Sequence, residues 1–495
     1  MALPKTGRKA KFSILSREDI EEIHEATIEI LETVGVRITS KKCLKILEEE
    51  GGCKINYEKQ VALIPRHLIH EALKKVGRNI TLHARNPKYN VTLNGNHTYI
   101  TTDGTGTQTI DLETGERRTS RKEDIVKSAI ISDATDIVDI YWPMVSSQDH
   151  PPHTRHLHDL EASLNNTEKH VTIETTINPK EAKYIIEIAA AVVGDEKKLG
   201  KQPIISSLHC TTAPLQMDGN SMEAALEFSK ANIPVMFFGM PQPGATSPVT
   251  LAGSLVVNNA EVLACLTLTQ LAHPGAPVIY GAGIAVFDMK TLKRAGGGPE
   301  HGLTGAAAGE IAKHYNLPSI VGGFVTTAKT PGGQACYEKL ASGLPPILAG
   351  CDMIAGIGLL DDCTTLALEE IIIDAEIARI AFRIAQGIEV NENTLAKDII
   401  RKIGPGGHFL AEKHTLTNLK REHFIPELTD RRSYETWLKT GRKDITTTAK
   451  EKVKTILQKH KPQPLEEDIQ REVKSIIEKA ERELKHTLNP TKTKP

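Results

Sequence analysis

Eight short apolar runs recur along the chain at near-regular spacing, each followed by a helical stretch, and few folds accommodate that pattern. The runs cover residues 97–102, 139–147, 170–176, 203–210, 234–240, 277–283, 319–325 and 352–359. The helical stretches cover 121–133, 154–165, 179–193, 217–230, 251–272, 301–315, 334–349 and 368–386. The runs are near-continuously apolar, as expected of parallel strands buried on both faces. Eight such units over roughly 290 residues match the count and size of a (β/α)8 barrel. An open doubly wound sheet is the rival, and the absence of a G-x-G-x-x-G turn after an early strand weighs against it.

The flanks do not follow this alternation. Residues 1–95 read as an α+β region: a capped helix opening at Ser16, short helices near 42–50 and after Pro65, and hairpin strands with Asn94-Gly95 turn chemistry. The barrel is expected over 96–390. A C-terminal extension, 391–495, carries the Gly-rich turn KIGPGGHFLAEKHT and two charged amphipathic helices at 450–459 and 465–484. The charge runs there read as solvated helix faces.

Composition narrows the function classes. The 61 basic and 62 acidic residues nearly cancel, so nucleic acid and membrane surfaces are not expected partners. No basic segment leads into an apolar one at the start, and no apolar run is expected to be long enough to cross a bilayer. The seven cysteines are scattered without a CxxC pair, which suggests reduced thiols in a cytoplasmic protein rather than disulfides or zinc. His150, His153, His156 and His158 crowd one stretch, but without H-E-x-x-H spacing or a nearby cysteine, so no metal is expected. A G-x-S-x-G elbow, a Walker loop and a kinase set are all missing.

A barrel carries its chemistry at the C-terminal ends of its strands. Those ends present Thr101-Thr102-Asp103-Gly104-Thr105-Gly106, Glu174, His209-Cys210, Phe238-Gly239-Met240, Tyr280-Gly281-Ala282-Gly283 with Phe287 beyond, Phe324-Val325 and Gly356-Ile357-Gly358. Aromatics are only 4% of the chain, yet Phe238, Tyr280, Phe287 and Phe324 stand there, with Tyr141 and Trp142 on the second strand. Aromatic faces beside a carboxylate such as Glu174 suit a quaternary ammonium, whose charge no hydrogen bond can satisfy. Each aromatic alone is as well explained by core packing; the cluster is the stronger signal. His209 is by default a barrel histidine with a satisfied partner.

These stretches resemble the trimethylamine methyltransferase family of corrinoid-dependent enzymes. The resemblance is carried by TDGTGT, PIISSLHCTTAPLQM, SPVTLAGSLVVNNAEVLA, VIYGAGIAVFDMK, GPEHGLTGAAAGEIAKHYNLPS, AKTPGGQACYEK and LPPILAGCDMIAGIGLLDDCTTLALEEIIIDAEI. It implies the same barrel, and methyl transfer to the Co(I) of a corrinoid held by a partner protein, with no cofactor bound permanently. Archetypal members carry pyrrolysine at the end of strand seven, where this chain has Val325, so the resemblance points to a member acting on a quaternary amine such as glycine betaine. Glu174, His209, Phe238, Tyr280, Phe287, Phe324, Val325 and Ile357 are the expected substrate contacts, and His408 in the GPGGHF turn is a candidate carboxylate anchor. Gly104, Gly106, Gly281, Gly283, Gly356 and Gly358 are expected to keep the barrel mouth low for the corrinoid protein, and a homo-oligomer is expected. The alternatives are trimethylamine itself as substrate, a lyase or aldolase barrel using Lys329 as a Schiff base, and a binding protein that passes no methyl.

Overall fold

The computed structural model describes residues 10–485. Eight parallel strands close into a barrel: β1 Tyr99–Thr102, β2 Ile140–Tyr141, β3 His170–Ile173, β4 Ile205–Cys210, β5 Val235–Gly239, β6 Val278–Ala282, β7 Ser319–Gly322 and β8 Met353–Ile357. Neighbours in sequence are neighbours in the barrel, and β8 closes on β1 through Met353–Tyr99 and Ala355–Thr101. The outer ring is α1 Lys122–Ala134, α2 Arg155–Asn166, α3 Pro179–Val193, α4 Gly219–Lys230, α5 Leu251–Ala272, α6 Pro299–His314, α7 Gly333–Ala349 and α8 Leu368–Gln386. The (β/α)8 barrel expected from counting is therefore the one observed.

Local chemistry sets the boundaries. Asn178 and Asp218 cap α3 and α4 by accepting from Lys180 N and Ser221 N, and Pro179 and Pro299 occupy first turns where no N–H is needed. Strand β2 is far shorter than the apolar run 139–147, because Pro143 has no N–H to continue the ladder. Strand β7 stops before Val325 because Phe324 adopts a left-handed backbone, φ 51°.

Ile140, Leu208, Met236, Ile279, Ile320 and Met353 fill the barrel interior. A hairpin, Ile80–Leu82 with Val91–Leu93, pushes its apolar side chains into the same cluster and seals the N-terminal end of the barrel. It is held there by His83 N–H to Pro203 O (3.1 Å) and Gly95 N–H to Asp352 Oδ1 (2.9 Å). Open space then lies toward the C-terminal ends of the strands.

Helices Arg17–Thr33, Lys41–Glu49 and Arg66–Lys75 pack against α5. Contrary to the sequence expectation, α5 is by length and composition able to cross a membrane, with 22 residues and a mean hydropathy of 1.5. It is apolar all round because it is sandwiched between those helices and β5. Helix Ile445–Lys459 lies on α8 and α1, and helix Glu467–Leu484 lies on α3 and α2. Between α8 and these two, residues 388–426 contain no buried side chain.

Candidate active site

Three insertions roof the C-terminal end of the barrel. A hairpin after β1, Gln108–Ile110 with Arg117–Thr119, joins Thr365–Ala367 and Leu359–Leu360 after β8 in a four-stranded sheet. A second hairpin, Val286–Asp288 with Lys293–Ala295, follows β6 and carries Arg294 inward. Arg294 Nη1–H donates to Asp362 Oδ1 (2.7 Å), and Gly296 N–H donates to the same oxygen (3.0 Å), tying this hairpin to the loop after β8.

Beneath the roof is a cavity of about 310 Å³, lined by Asp103, Trp142, Glu174, Phe238, Arg294 and His301 with Gly104, Thr105, Cys210, Met240, Gly283, Gly322, Val325, Ala355, Asp362 and Cys363. Two aromatic walls face three carboxylates and one guanidinium. Glu174 Oε2 accepts from Thr105 Oγ1–H (3.0 Å) and Oε1 from Thr175 N–H (2.7 Å). Asp103 Oδ1 accepts from Gly104 N–H (3.0 Å), whereas Oδ2 is buried without a hydrogen bond. Burial pushes the Asp103 carboxyl up to about 6, with the Cys363 thiol and Arg294 pulling the other way. Trp142 Nε1, Arg294 Nε and His301 Nε2 are likewise buried without partners. His301 Nδ1–H donates to Ile284 O (2.7 Å), so Nε2 bears the lone pair, and burial, with Arg294 adding, lowers its pKa to about 4. Burial pushes the Cys210 thiol up to about 12 and Cys363 well above its usual value, so neither is a thiolate near neutrality. The wall thus carries no thiolate; it offers charge, aromatic faces and shape.

Strand parity decides which expected residues meet here. Side chains alternate between barrel interior and helix layer, so one residue along a strand exchanges the two faces. Glu174, Phe238 and Gly283 fall on the interior parity and line the cavity, whereas Gly104 and Val325 reach it from beyond their strand ends, Val325 after the left-handed turn at Phe324. His209 falls on the other. Its ring sits between Ser207 Oγ (2.9 Å) and Ser221 Oγ (3.0 Å) on the α4 side, and burial lowers its pKa to about 3. Tyr280 points to α5, where its hydroxyl meets Asn258 Nδ2 and Asn259 Oδ1 at 3.2 Å each. Phe324 packs under Gly343 of α7, and Ile357, shifted by a bulge in β8, lies in the outer apolar layer. Phe287 stands opposite Arg294 in its hairpin and is half-buried outside the cavity lining. His408 is exposed in the C-terminal segment, far in sequence from any lining residue. Lys329 is also exposed, bonded to Thr327 O and Asp361, which removes it as a cavity Schiff base.

The glycines divide in the same way. A Cβ on Gly104 would enter the Trp142 indole and one on Gly283 would enter the Phe238 ring, so both make room for the aromatic walls. A Cβ on Gly106 would meet Thr364 O (2.6 Å) and one on Gly281 would meet Phe237 O (2.5 Å). Gly356 (φ 141°) and Gly358 (φ 95°) shape the β8 bulge against Gly323 O and Met144. These four serve strand packing and do not lower the mouth.

Asp103 and Trp142 stand at strand ends, so position alone could have found them. Arg294, His301, Asp362 and Cys363 come from a roof hairpin, a helix start and a loop, and no barrel-strand periodicity points to them. Of the four histidines of 150–158, His150 and His158 lie ring against ring with centroids 3.9 Å apart, His158 also meeting Glu481 (2.9 Å), while His156 turns to Glu181 (3.4 Å).

Residues 2–485 match the family described as trimethylamine methyltransferase (MTTB). The chain belongs to this family. It is 36% identical to trimethylamine methyltransferase MttB of Desulfitobacterium hafniense (strain DSM 10664 / DCB-2), over 94% of each chain. It is 32% identical to glycine betaine methyltransferase of Desulfitobacterium hafniense (strain Y51), covering 94% of this chain and 97% of that one. The crystal structure of the Methanosarcina barkeri monomethylamine methyltransferase (MtmB) shares the fold, with a TM-score of 0.52 at 13% identity over 97% of this chain and 90% of that one. As a member of the trimethylamine methyltransferase family, the chain is a methyltransferase, and its cavity lies where barrels place their chemistry.

Proposed function

We propose that this member takes a methyl group from a quaternary amine of the glycine betaine kind and passes it to the Co(I) of a corrinoid carried by a partner protein. The observation that carries this reading is the composition of the cavity: Trp142 and Phe238 beside Asp103 and Glu174, with Val325 just beyond the seventh strand and no thiolate. A permanent cation without N–H bonds gains from aromatic faces and diffuse negative charge, and has no use for directed acceptors. A carboxylate on the same substrate would find Arg294 Nε–H, a buried donor without a partner; Arg294 replaces His408 as the anchor. Trimethylamine is a poorer fit, because Val325 supplies neither an adduct-forming group nor a base to remove its proton.

The chemistry asks little of the protein. The Co(I) electron pair forms the Co–C bond as the N–CH3 bond breaks, and the pair of that bond stays on nitrogen as a neutral tertiary amine. No proton moves. The cavity holds the ammonium in line and excludes water. Five apolar side chains stand exposed on the loops and helix start around the mouth: Ile177, Val249, Met289, Leu292 and Tyr337. Such a rim suits a docking protein. The test is spectrophotometric: purified enzyme, free cob(I)alamin and either glycine betaine or trimethylamine. Methylcobalamin is expected with the betaine and not with trimethylamine; the reverse would overturn the assignment.

A further inference from the structure

Residues 388–426 form an arm that the rest of the chain does not cover. It carries three short helices, Glu392–Leu395, Lys397–Ile403 and Lys413–Glu422, and none has a buried residue. Helices this short are not stable in water on their own and depend on packing. The hydrogen bonds and ion pairs of residues 391–420, among the described residues, close within the arm, as in Lys402–Glu412 (2.9 Å) and His414–Asn393 O (3.3 Å). Its two ends meet at its root, where Arg383 donates to Glu422 O and Arg421 pairs with Glu389. Yet the arm presents Ile388 (79% exposed), Leu410 (85%) and Leu416 (81%), together with Ile400, Phe409 and Ile425.

The position and charge of the arm select its partner. The root is the C-terminal end of α8, beside the α1–β2 turn where Arg379 pairs with Asp136, and hence at the pole of the barrel opposite the cavity mouth. A protein delivering a corrinoid must dock at the other pole. Residues 388–426 hold six basic and five acidic side chains, interleaved, so the surface lacks the one-sided charge that would match an acidic or basic partner and is complementary to itself. Ile388, Leu410 and Leu416 stand 79%, 85% and 81% exposed within one short arm, a concentration of bare apolar side chains that marks an interaction surface.

We propose that this arm is a self-association surface, packing against a second copy of the chain in solution. The test is sedimentation velocity on the full-length protein at micromolar concentration, for the wild type, Leu410→Glu with Leu416→Glu, and Val249→Glu on the mouth rim. Both arm positions are exposed, so the double variant keeps the fold of the single chain, checked by circular dichroism. The wild type and Val249→Glu are expected to sediment as the same oligomer and the double arm variant as a smaller species. A monomeric wild type, an arm variant of unchanged mass, or dissociation by Val249→Glu instead would each overturn the proposal.

Discussion

Phe238 and Tyr280 are adjacent in space, equally aromatic and both near strand ends, yet they have different fates. Phe238 lies on the interior parity of β5 and Tyr280 on the outer parity of β6. Trp142→Leu or Phe238→Leu is expected to weaken quaternary ammonium binding by about 0.5–2 kcal/mol, measured by calorimetry. Tyr280→Phe should leave affinity alone and cost about 0.5–1.5 kcal/mol of stability through the lost asparagine contacts, measured by urea unfolding. Asp103 gives a pH signature. Burial raises its folded pKa to about 6, above the unfolded value of 3.8. Between those values the folded state keeps a proton that the unfolded chain has lost, so its stabilising effect is full below 3.8 and lost as pH rises through 6. Ligand binding runs the other way, since only the carboxylate attracts a cation: affinity should rise as pH passes 6, and Asp103→Asn should flatten both profiles. The identity of the strand-end residues was legible in the sequence. Which of them face inward was not, because a one-residue error in strand register inverts the assignment, as for His209 and Tyr280, and because the left-handed turn at Phe324 carries its ring out of the interior row into the helix layer.

At the scale of elements, α7 and α8 are joined by a buried ionic group. Lys339 Nζ bonds Asp374 Oδ2 and lies 3.4 Å from Glu370 Oε1, all fully buried, while Gly358 N–H donates to Asp374 Oδ2 (2.7 Å). The cluster thereby fixes the end of β8, from which Asp362 and Cys363 enter the site. Lys339→Met would leave two buried acids unpaired and is expected to cost about 3–5 kcal/mol, read as a fall in denaturation midpoint. Gly281→Ala should destabilise the β5–β6 pair, since its Cβ would meet Phe237 O at 2.5 Å, and should not act selectively on transfer to the partner protein. Strand and helix order was legible throughout the barrel because apolar runs and caps are local signals. The roof was not: it is assembled from a hairpin after β1 and segments after β8, about 250 residues apart in sequence, and no local pattern announces that pairing.

The whole molecule is polar in its organisation. One pole is sealed by the 80–93 hairpin, the other holds the cavity beneath an apolar rim, and the arm projects from the sealed side. If the rim receives the corrinoid protein, Leu292→Glu should slow methyl transfer to that protein at least tenfold, a cost of about 1.4 kcal/mol, while transfer to free cob(I)alamin is unchanged. The likeness to a methyltransferase family was legible in the sequence across the barrel units; the arm's exposure was not, because amphipathic helices read alike whether the covering surface belongs to the same chain or another. The proposed activity requires recognition of a quaternary ammonium by Trp142, Phe238, Asp103 and Glu174. Calorimetry with glycine betaine and its carba analogue, in which a neutral tert-butyl group replaces trimethylammonium at nearly the same shape, isolates that charge. Binding of the betaine at least tenfold tighter than the analogue is predicted; equal affinity, or preference for the analogue, would contradict it.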